Sequence, residues 1–349
     1  MTTKSNSKYA GKEIRYTICP VGNASYIAAK KGWLTKGLAE IGVTATLLQS
    51  LPEERWTVHY NYQDEALFRE GGNIPPIWSK ANGQEPLLIG LTFLDQKQYI
   101  LVRADSSIDS VEQLRKKRLA IPARPEFVID FYKATVQRGF KTALAARGVT
   151  IDEVNLVELP VGEAYIAQQA DKRSNLGRRE VEALENDEVD AIYAGGTRAQ
   201  SLLETGKFKV IFEISANASQ VLPVNNSYPN ILTVSRRLAD EAPEVVVAYI
   251  KQLLRAADWA KENRPEVLEL FAQQTHGTIG QVATARSFDF HRHLAPELTE
   301  AGLLALESQK RLLYDHGYIE NDFDITQWAD DRFLKTALAE LHQELSLAV

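Results

Sequence analysis

Three side chains in the N-terminal part of the sequence have the types and positions that proton transfer or nucleophilic attack requires. Cys19 directly follows the apolar run 14–18 and precedes a turn into a predicted helix. A helix N-terminus or a nearby cation favours the reactive thiolate form of a cysteine. His59 lies in an aromatic and β-branched run at 56–60, which predicts a short strand, and its imidazole could move a proton. Arg69 could hold two oxygens of one anionic group with its planar guanidinium.

Each of these residues also has a simpler structural explanation when it is taken alone. A solitary cysteine is often a small buried hydrophobic residue. A histidine in a strand is often a hydrogen-bonded core residue, and an arginine before a loop is often solvated. Only their combination indicates a functional site.

A glycine pair directly after the arginine indicates where an anion would bind. Gly71 and Gly72 follow Arg69 and Glu70, and glycines let backbone N–H groups approach a ligand without obstruction by a side chain. Pro75 suits the first turn of a helix, whose N–H groups also attract anions. The pattern therefore predicts an anion-binding site beside Arg69.

Alternating strands and helices would position these residues. Short apolar runs alternate with longer amphipathic patterns, which predicts an α/β fold with mostly parallel sheets. The predicted strands are residues 14–18, 43–48, 87–91, 99–102, 119–121, 155–159, 191–193, 209–214 and 231–234. Beyond residue 234 the pattern is almost entirely helical, and the predicted helices are residues 243–263, 265–275, 296–315 and 326–345.

The order of these elements predicts two α/β lobes with a ligand cleft between them. Lobe one would comprise residues 1–103 and 223–349 and would carry the cysteine, histidine and arginine. Lobe two would comprise residues 104–222. Clefts between lobes are preferred places for ligands.

Composition narrows the function classes. The 349 residues are 44% hydrophobic and 25% charged, with a net charge of -6, which predicts a globular protein with no affinity for nucleic acid or for an anionic membrane. The one cysteine excludes a disulfide within the chain and a zinc site of several thiolates. Residues 4–15 lack the apolar core of a signal peptide, so we expect a cytoplasmic protein. We also expect a monomer without a metal.

Several short segments together resemble the aromatic sulfinate desulfinases of the dibenzothiophene desulfurisation pathway. The segments are Tyr16, Cys19-Pro20, Asn23-Ala24, Thr57-Val58-His59, Arg69, Gly71-Gly72 and Ile74-Pro75-Pro76, with weaker matches at Val189 to Tyr193, Gln327-Trp328-Ala329 and Phe333-Leu334.

The resemblance implies a fold and a set of roles. It implies the fold of periplasmic solute-binding proteins, with Cys19, His59 and Arg69 as catalytic residues. It further implies that Gly71, Gly72 and Asn23 bind the substrate. The implied substrate is a small aromatic sulfinate, and the implied reaction needs no organic cofactor.

Two mechanisms and one alternative function remain open at the level of sequence. Cys19 could attack the sulfinate sulfur as a nucleophile, or it could protonate the ring carbon as an acid. Because a fold does not dictate a function, the chain could instead be a solute-binding protein for a sulfonate or a related small anion, without catalysis.

Overall fold

The computed structural model describes residues 9–125, 127–161, 177–217 and 222–347. The described residues form ten strands: β1 (Glu13–Ile18), β2 (Thr44–Leu47), β3 (Leu67–Gly71), β4 (Pro86–Thr92), β5 (Gln98–Arg103), β6 (Arg118–Ala123), β7 (Asn155–Pro160), β8 (Ile192–Gly195), β9 (Phe208–Glu213) and β10 (Asn230–Ser235). The α-helices of this part of the chain are α1 (Ala24–Lys30), α2 (Trp33–Ala39), α3 (Val58–Asn61), α4 (Ile74–Ala81), α5 (Phe131–Ala145), α6 (Arg178–Glu185), α7 (Gly196–Glu204), α8 (Arg236–Glu241), α9 (Pro243–Glu262), α10 (Arg264–Thr275), α11 (Ile279–Thr284), α12 (Glu300–Asp315), α13 (Ile325–Trp328) and α14 (Arg332–Leu347).

The contacts divide the chain into two compact units. Unit 1 comprises Met1–Leu94, Pro229–Gln274 and Asp289–Val349, and unit 2 comprises Asp95–Tyr228 and Thr275–Phe288. These bounds differ from the predicted lobes, which change at residues 103 and 223. The first difference arises because β5 pairs with β8 and β9 and therefore belongs to unit 2.

Unit 1 is built on a five-stranded sheet in the order β2-β1-β3-β10-β4. Strand β1 runs parallel to β2 and β3, whereas β10 runs antiparallel to β3 and β4. Helix α9 packs on α1, α2 and α14 and buries a nearly continuous apolar stripe that includes Val245, Tyr249 and Leu253. Tyr249 stacks on Phe68 of β3 at 4.0 Å between ring centroids, which fixes the sheet against the helix layer.

Unit 2 has a separate core. Strand β5 lies between β8 and β9 and is antiparallel to both, and β6 pairs in parallel with β7. Apolar residues of β5 and β6 pack with Phe140 of α5 in one buried cluster.

The α/β prediction is confirmed, but three details of the sequence interpretation are wrong. The strand pairs are not mostly parallel, because β5 and β10 pair antiparallel with their neighbours. The run at 56–60 contributes to helix α3 rather than to a strand. The predicted helix 326–345 is two helices, α13 and α14, because Ala329 leaves the helix in an extended conformation.

Candidate active site

The candidate site is positioned by two adjacent parallel strands of unit 1. In the register of β1 and β3, Thr17 lies opposite Arg69 and Ile18 opposite Glu70. Successive side chains of a strand point to opposite faces, so Thr17 and Arg69 share one face of the sheet and Glu70 lies on the other. The Cys19 N–H donates to the Glu70 carbonyl at 2.9 Å, which places the cysteine at the end of β1, beside the end of β3.

The structure brings the predicted cysteine, histidine and arginine together at one sulfur atom. His59 Nε2 lies 3.6 Å from Cys19 Sγ, and Arg69 Nη2 lies 3.8 Å from the same atom. Gly71 completes the contact, because a Cβ atom at that position would lie 2.1 Å from the sulfur. The space that the thiol occupies therefore exists only because residue 71 has no side chain.

A chain of hydrogen bonds orients the histidine. His59 is buried at 3% exposure, and its Nδ1 lies 2.9 Å from Thr17 Oγ1. Gln49 Nε2 donates to the same Thr17 oxygen at 2.7 Å. The hydroxyl proton can then bond to Nδ1, which leaves the imidazole proton on Nε2, pointing at the sulfur. The opposite tautomer would present the Nε2 lone pair to a thiol proton.

Arg69 is a buried cation that is held by carbonyl groups. Arg69 is 1% exposed. Its Nε donates to the His59 carbonyl at 3.1 Å, and its Nη1 donates to the Gly72 carbonyl at 2.8 Å. Among the residues that the structure describes, no carboxylate lies within 4.0 Å of this guanidinium. A buried charge without a counter-ion is costly, and an anionic ligand or the thiolate would reduce that cost.

Tyr62 was not predicted from the sequence, although it lies beside these groups. Its hydroxyl is 2.5 Å from Thr233 Oγ1, and because Thr233 donates to the Arg69 carbonyl at 3.3 Å, Tyr62 is the donor in the first bond. Burial raises the pKa of Tyr62 to about 12, so the phenol stays neutral. The residue also has a φ of 53°, a left-handed conformation that a bulky side chain rarely adopts.

The turn after the cysteine is fixed by two buried amide side chains. Asn23 caps α1 by accepting from the Tyr26 N–H at 3.1 Å, and its Nδ2 is buried without a hydrogen-bond partner among the described residues. Gln274 donates from Nε2 to the Cys19 carbonyl at 3.0 Å and accepts from the Gly22 N–H at 2.8 Å. Gln274 comes from α10, 255 residues away, so no local pattern could have indicated it.

The helix start after the glycine pair offers fewer donors than the sequence pattern predicts. Asn73 is the N-cap of α4, and Pro75 and Pro76 occupy the second and third helical positions. Proline has no backbone N–H, so Ile74 supplies the only N–H of the first three helical positions. Gly72 contributes its carbonyl to Arg69.

Two further features concern metals and membranes. Within the described ranges no group of three or more histidine, cysteine, aspartate and glutamate side chains could hold a metal ion. No helix in those ranges is both long and apolar enough to span a bilayer.

Comparison with known proteins gives three results. No family model matches the chain. Its sequence is 27% identical over 355 residues to 2'-hydroxybiphenyl-2-sulfinate desulfinase of Rhodococcus erythropolis, covering 93% of each chain. The chain is a distant homologue of this enzyme. The same identity and coverage hold for the desulfinase of Rhodococcus qingshengii.

Solved structures show which fold the chain has. The desulfurization enzyme DSZB, crystallised as a cysteine-to-serine mutant in complex with biphenyl-2-sulfinic acid, superposes with a TM-score of 0.77 at 24% identity, covering 94% of this chain and 99% of that one. The periplasmic aliphatic sulphonate-binding protein of Escherichia coli gives a TM-score of 0.65 at 16% identity, covering 91% and 92%. The fold is that of the periplasmic binding proteins, as the resemblance implied.

Proposed function

We propose that this protein is an aromatic sulfinate desulfinase that hydrolyses a carbon–sulfur bond and releases sulfite and an arene. The substrate would be 2'-hydroxybiphenyl-2-sulfinate or a close analogue, giving 2-hydroxybiphenyl. The observation that carries this proposal is the contact of one thiol with both a buried imidazole and a buried guanidinium that lacks a carboxylate partner among the described residues. A buried cation without a counter-ion costs stability, which favours a role in binding an anion.

The relatives support the same reaction class. The desulfinases of both Rhodococcus species are similar to this chain over almost its whole length. A cysteine-to-serine mutant of DSZB was crystallised with biphenyl-2-sulfinic acid, and this chain contains a single cysteine. A cysteine beside a bound sulfinate is therefore the most economical role for Cys19.

The proposed reaction adds water across the carbon–sulfur bond: an aryl sulfinate and water give the arene and hydrogen sulfite. Arg69 would pair with the sulfinate oxygens and hold the sulfur near Cys19, since a guanidinium binds oxyanions through directed N–H groups. His59, with Thr17 behind it, would transfer the proton between the thiol and its surroundings.

Two routes fit this arrangement. In the first, the Cys19 thiolate attacks sulfur, the arene leaves with a proton, and water then cleaves the sulfur adduct. In the second, the thiol gives its proton to the ring carbon, sulfur dioxide departs, and water converts it to sulfite. A sulfur adduct on Cys19 trapped during turnover and weighed by mass spectrometry would favour the first route, and its absence from an active enzyme the second.

The test of the proposal is product formation. The full chain is incubated with 2'-hydroxybiphenyl-2-sulfinate, and sulfite and 2-hydroxybiphenyl are measured together. We expect the two products in equal amounts, formed catalytically. Binding of the sulfinate without either product would contradict the proposal.

A solute-binding protein is the alternative function. The fold likeness to the sulphonate-binding proteins of Escherichia coli and Methylobacillus flagellatus favours it. Under this alternative the sulfinate or a sulfonate would bind and remain intact.

A cytoplasmic location and a monomeric state are further parts of the proposal for the enzyme.

A further inference from the structure

Arg124 in unit 2 is a buried arginine with unpaired N–H groups among the described residues. It directly follows β6 and is 3% exposed. Its Nε and Nη1 atoms are buried and have no hydrogen-bond partner among the described residues. In the same part of the chain, no carboxylate lies within 4.0 Å of its guanidinium. Most buried arginines are paired, so this one requires an explanation.

An aromatic ring holds the guanidinium in place. Arg124 Cζ lies 4.8 Å from the centroid of the Tyr132 ring, a cation–π distance. Tyr132 is itself fixed, because Arg198 donates from Nη1 to its hydroxyl and from Nη2 to the Gly177 carbonyl at 2.6 Å. Burial raises the pKa of Tyr132 above its usual value, so the ring stays neutral. The unpaired donors are therefore presented from a rigid support.

The guanidinium lies beside the first turn of α5. Tyr132 is the second residue of this 15-residue helix, and a helix N-terminus adds a partial positive charge to that of the guanidinium. The Arg124 side chain is buried, but Pro125, which directly follows Arg124, and Val128 are exposed. Arg124 also follows the carboxyl end of a strand in a parallel pair, the edge at which α/β proteins bind ligands.

The neighbouring carboxylate is already occupied. Asp130 accepts the Arg124 backbone N–H at 2.6 Å and the Lys133 N–H at 2.9 Å. It caps α5 through the second bond, and it forms no ion pair with the Arg124 guanidinium within 4.0 Å. Glu180 is a second buried carboxylate, whose two oxygens have no hydrogen-bond partner among the described residues. Burial raises the pKa of Tyr132, and the Glu180 charge raises it further. Among the described residues, the guanidinium Nε and Nη1 groups therefore have no hydrogen-bond acceptor.

We propose that Arg124, supported on Tyr132 at the start of α5, is a binding site in unit 2 for an oxyanion of a small ligand, of the carboxylate, sulfinate or sulfonate type. The Nε and Nη1 groups of the guanidinium can each donate a charge-assisted hydrogen bond to such a group. The bound oxyanion would accept from the guanidinium N–H groups that have no acceptor among the described residues. This inference does not depend on the chemistry at Cys19.

Hydrogen–deuterium exchange of the full chain tests this site and locates it. The probe is inorganic sulfate, compared with chloride at equal ionic strength. We expect sulfate to slow exchange by about threefold or more in peptides that cover residues 124–135. The bound anion would stabilise the folded protein at the site and so make local unfolding there less frequent. Arg124→Met should abolish this protection, and Arg124→Lys should reduce it.

A matched control separates the site from general salt effects. Arg179 of the same unit is paired with Glu188, so Arg179→Met should keep the sulfate-dependent protection at 124–135. Equal exchange in sulfate and chloride, or protection that survives Arg124→Met, would overturn the proposal.

Thermal unfolding supplies a second measurement. Removing an unpaired buried charge relieves a cost, so in chloride Arg124→Met should melt no lower than the wild type. A marked loss of melting temperature in chloride would show that Arg124 serves the fold instead and would also overturn the proposal. Because neither readout uses turnover, failure here leaves the test of the desulfinase proposal untouched.

Discussion

The sulfur of Cys19 occupies space beside Gly71 that is free because this residue has no side chain. Any Cβ there would overlap the sulfur at 2.1 Å and approach the Cys19 Cβ at 2.7 Å. Both contacts are shorter than atoms tolerate, and neither partner can move freely, because the Cys19 carbonyl and N–H are both hydrogen-bonded. The glycine is therefore a requirement of the thiol's position.

We predict that Gly71→Ala lowers turnover by about 100-fold or more, because a displacement of about 1 Å at a reacting atom costs that much. Steady-state kinetics on the aromatic sulfinate would measure it. Gly280→Ala is the control, since its nearest neighbour would be 3.8 Å away, and it should retain activity. Wild-type turnover in Gly71→Ala would show that the thiol is not where the chemistry occurs.

In the proposed reaction, Thr17 would act through His59 as a positioning residue. Thr17→Val keeps the side-chain shape but removes the oxygen that lies 2.9 Å from Nδ1, so the imidazole loses the hydrogen bond that orients it. We expect kcat to fall on the order of 10-fold or more, since oriented proton transfer contributes at least that much, with KM little changed. Thr17→Ser should restore most of the rate. Equal loss in both variants would indicate a packing defect instead.

Sequence reasoning could find the residues that touch the sulfur but not those that hold them. Cys19, His59, Arg69 and Gly71 were indicated by residue type, local spacing and resemblance, and the structure brings them together. Gln49, Tyr62 and Gln274 have ordinary local surroundings. Their roles follow from strand register and from a helix far along the chain, which one sequence does not reveal.

At the scale of elements, strand β3 was missed although it carries Arg69 and Gly71 of the site. All five of its residues are buried, yet two adjacent ones, Arg69 and Glu70, are charged, and buried strands normally read as apolar runs. The two charges point to opposite faces of the sheet. Arg69 faces the thiol, whereas Glu70 lies under α1, where it accepts from the Ser25 N–H at 3.2 Å and from Asn230 Nδ2 at 3.1 Å.

Glu70 makes stability depend on pH. Burial raises its pKa from 4.5 to about 7, and the hydrogen bonds from Ser25 and Asn230 only partly oppose that change. A carboxyl whose pKa is raised on folding adds stability below its unfolded pKa, and this contribution is lost as the pH rises through the folded value. The affected range therefore runs from about pH 4.5 to just above pH 7.

We predict that Glu70→Gln, which keeps the shape and removes the titration, gains stability over the wild type as the pH rises. Its free energy of unfolding relative to the wild type should increase by about 3 kcal/mol between pH 4.5 and pH 8, at about 1.36 kcal/mol per pKa unit. Denaturant unfolding at both values measures this. Glu65→Gln is the control, because Glu65 lies on the surface. A constant difference across the range would mean that Glu70 stays charged.

At the scale of the whole molecule, the sequence indicated the α/β class and nine of the strands but not how the strands pair. Antiparallel insertion of β10 between β3 and β4 is a long-range contact, and alternating patterns alone cannot distinguish it from a parallel one. The same pairing brings Thr233 against Arg69. The antiparallel pairing of β10 with β3 therefore brings Thr233 to the site, which local sequence patterns could not indicate.

The central claim is that a single thiol in this fold breaks a bond, whereas a solute-binding protein of the same fold would only hold its ligand. Cys19→Ser changes one atom and leaves Arg69 in place, so it should separate binding from chemistry. The decisive measurement is the dissociation constant of 2'-hydroxybiphenyl-2-sulfinate, by calorimetry, beside the rate of sulfite release, for the wild type and this variant. We predict that affinity changes by less than about 10-fold while sulfite release falls on the order of 1,000-fold or more. Sulfite release at the wild-type rate from Cys19→Ser, or none from the wild type despite binding, would contradict the account.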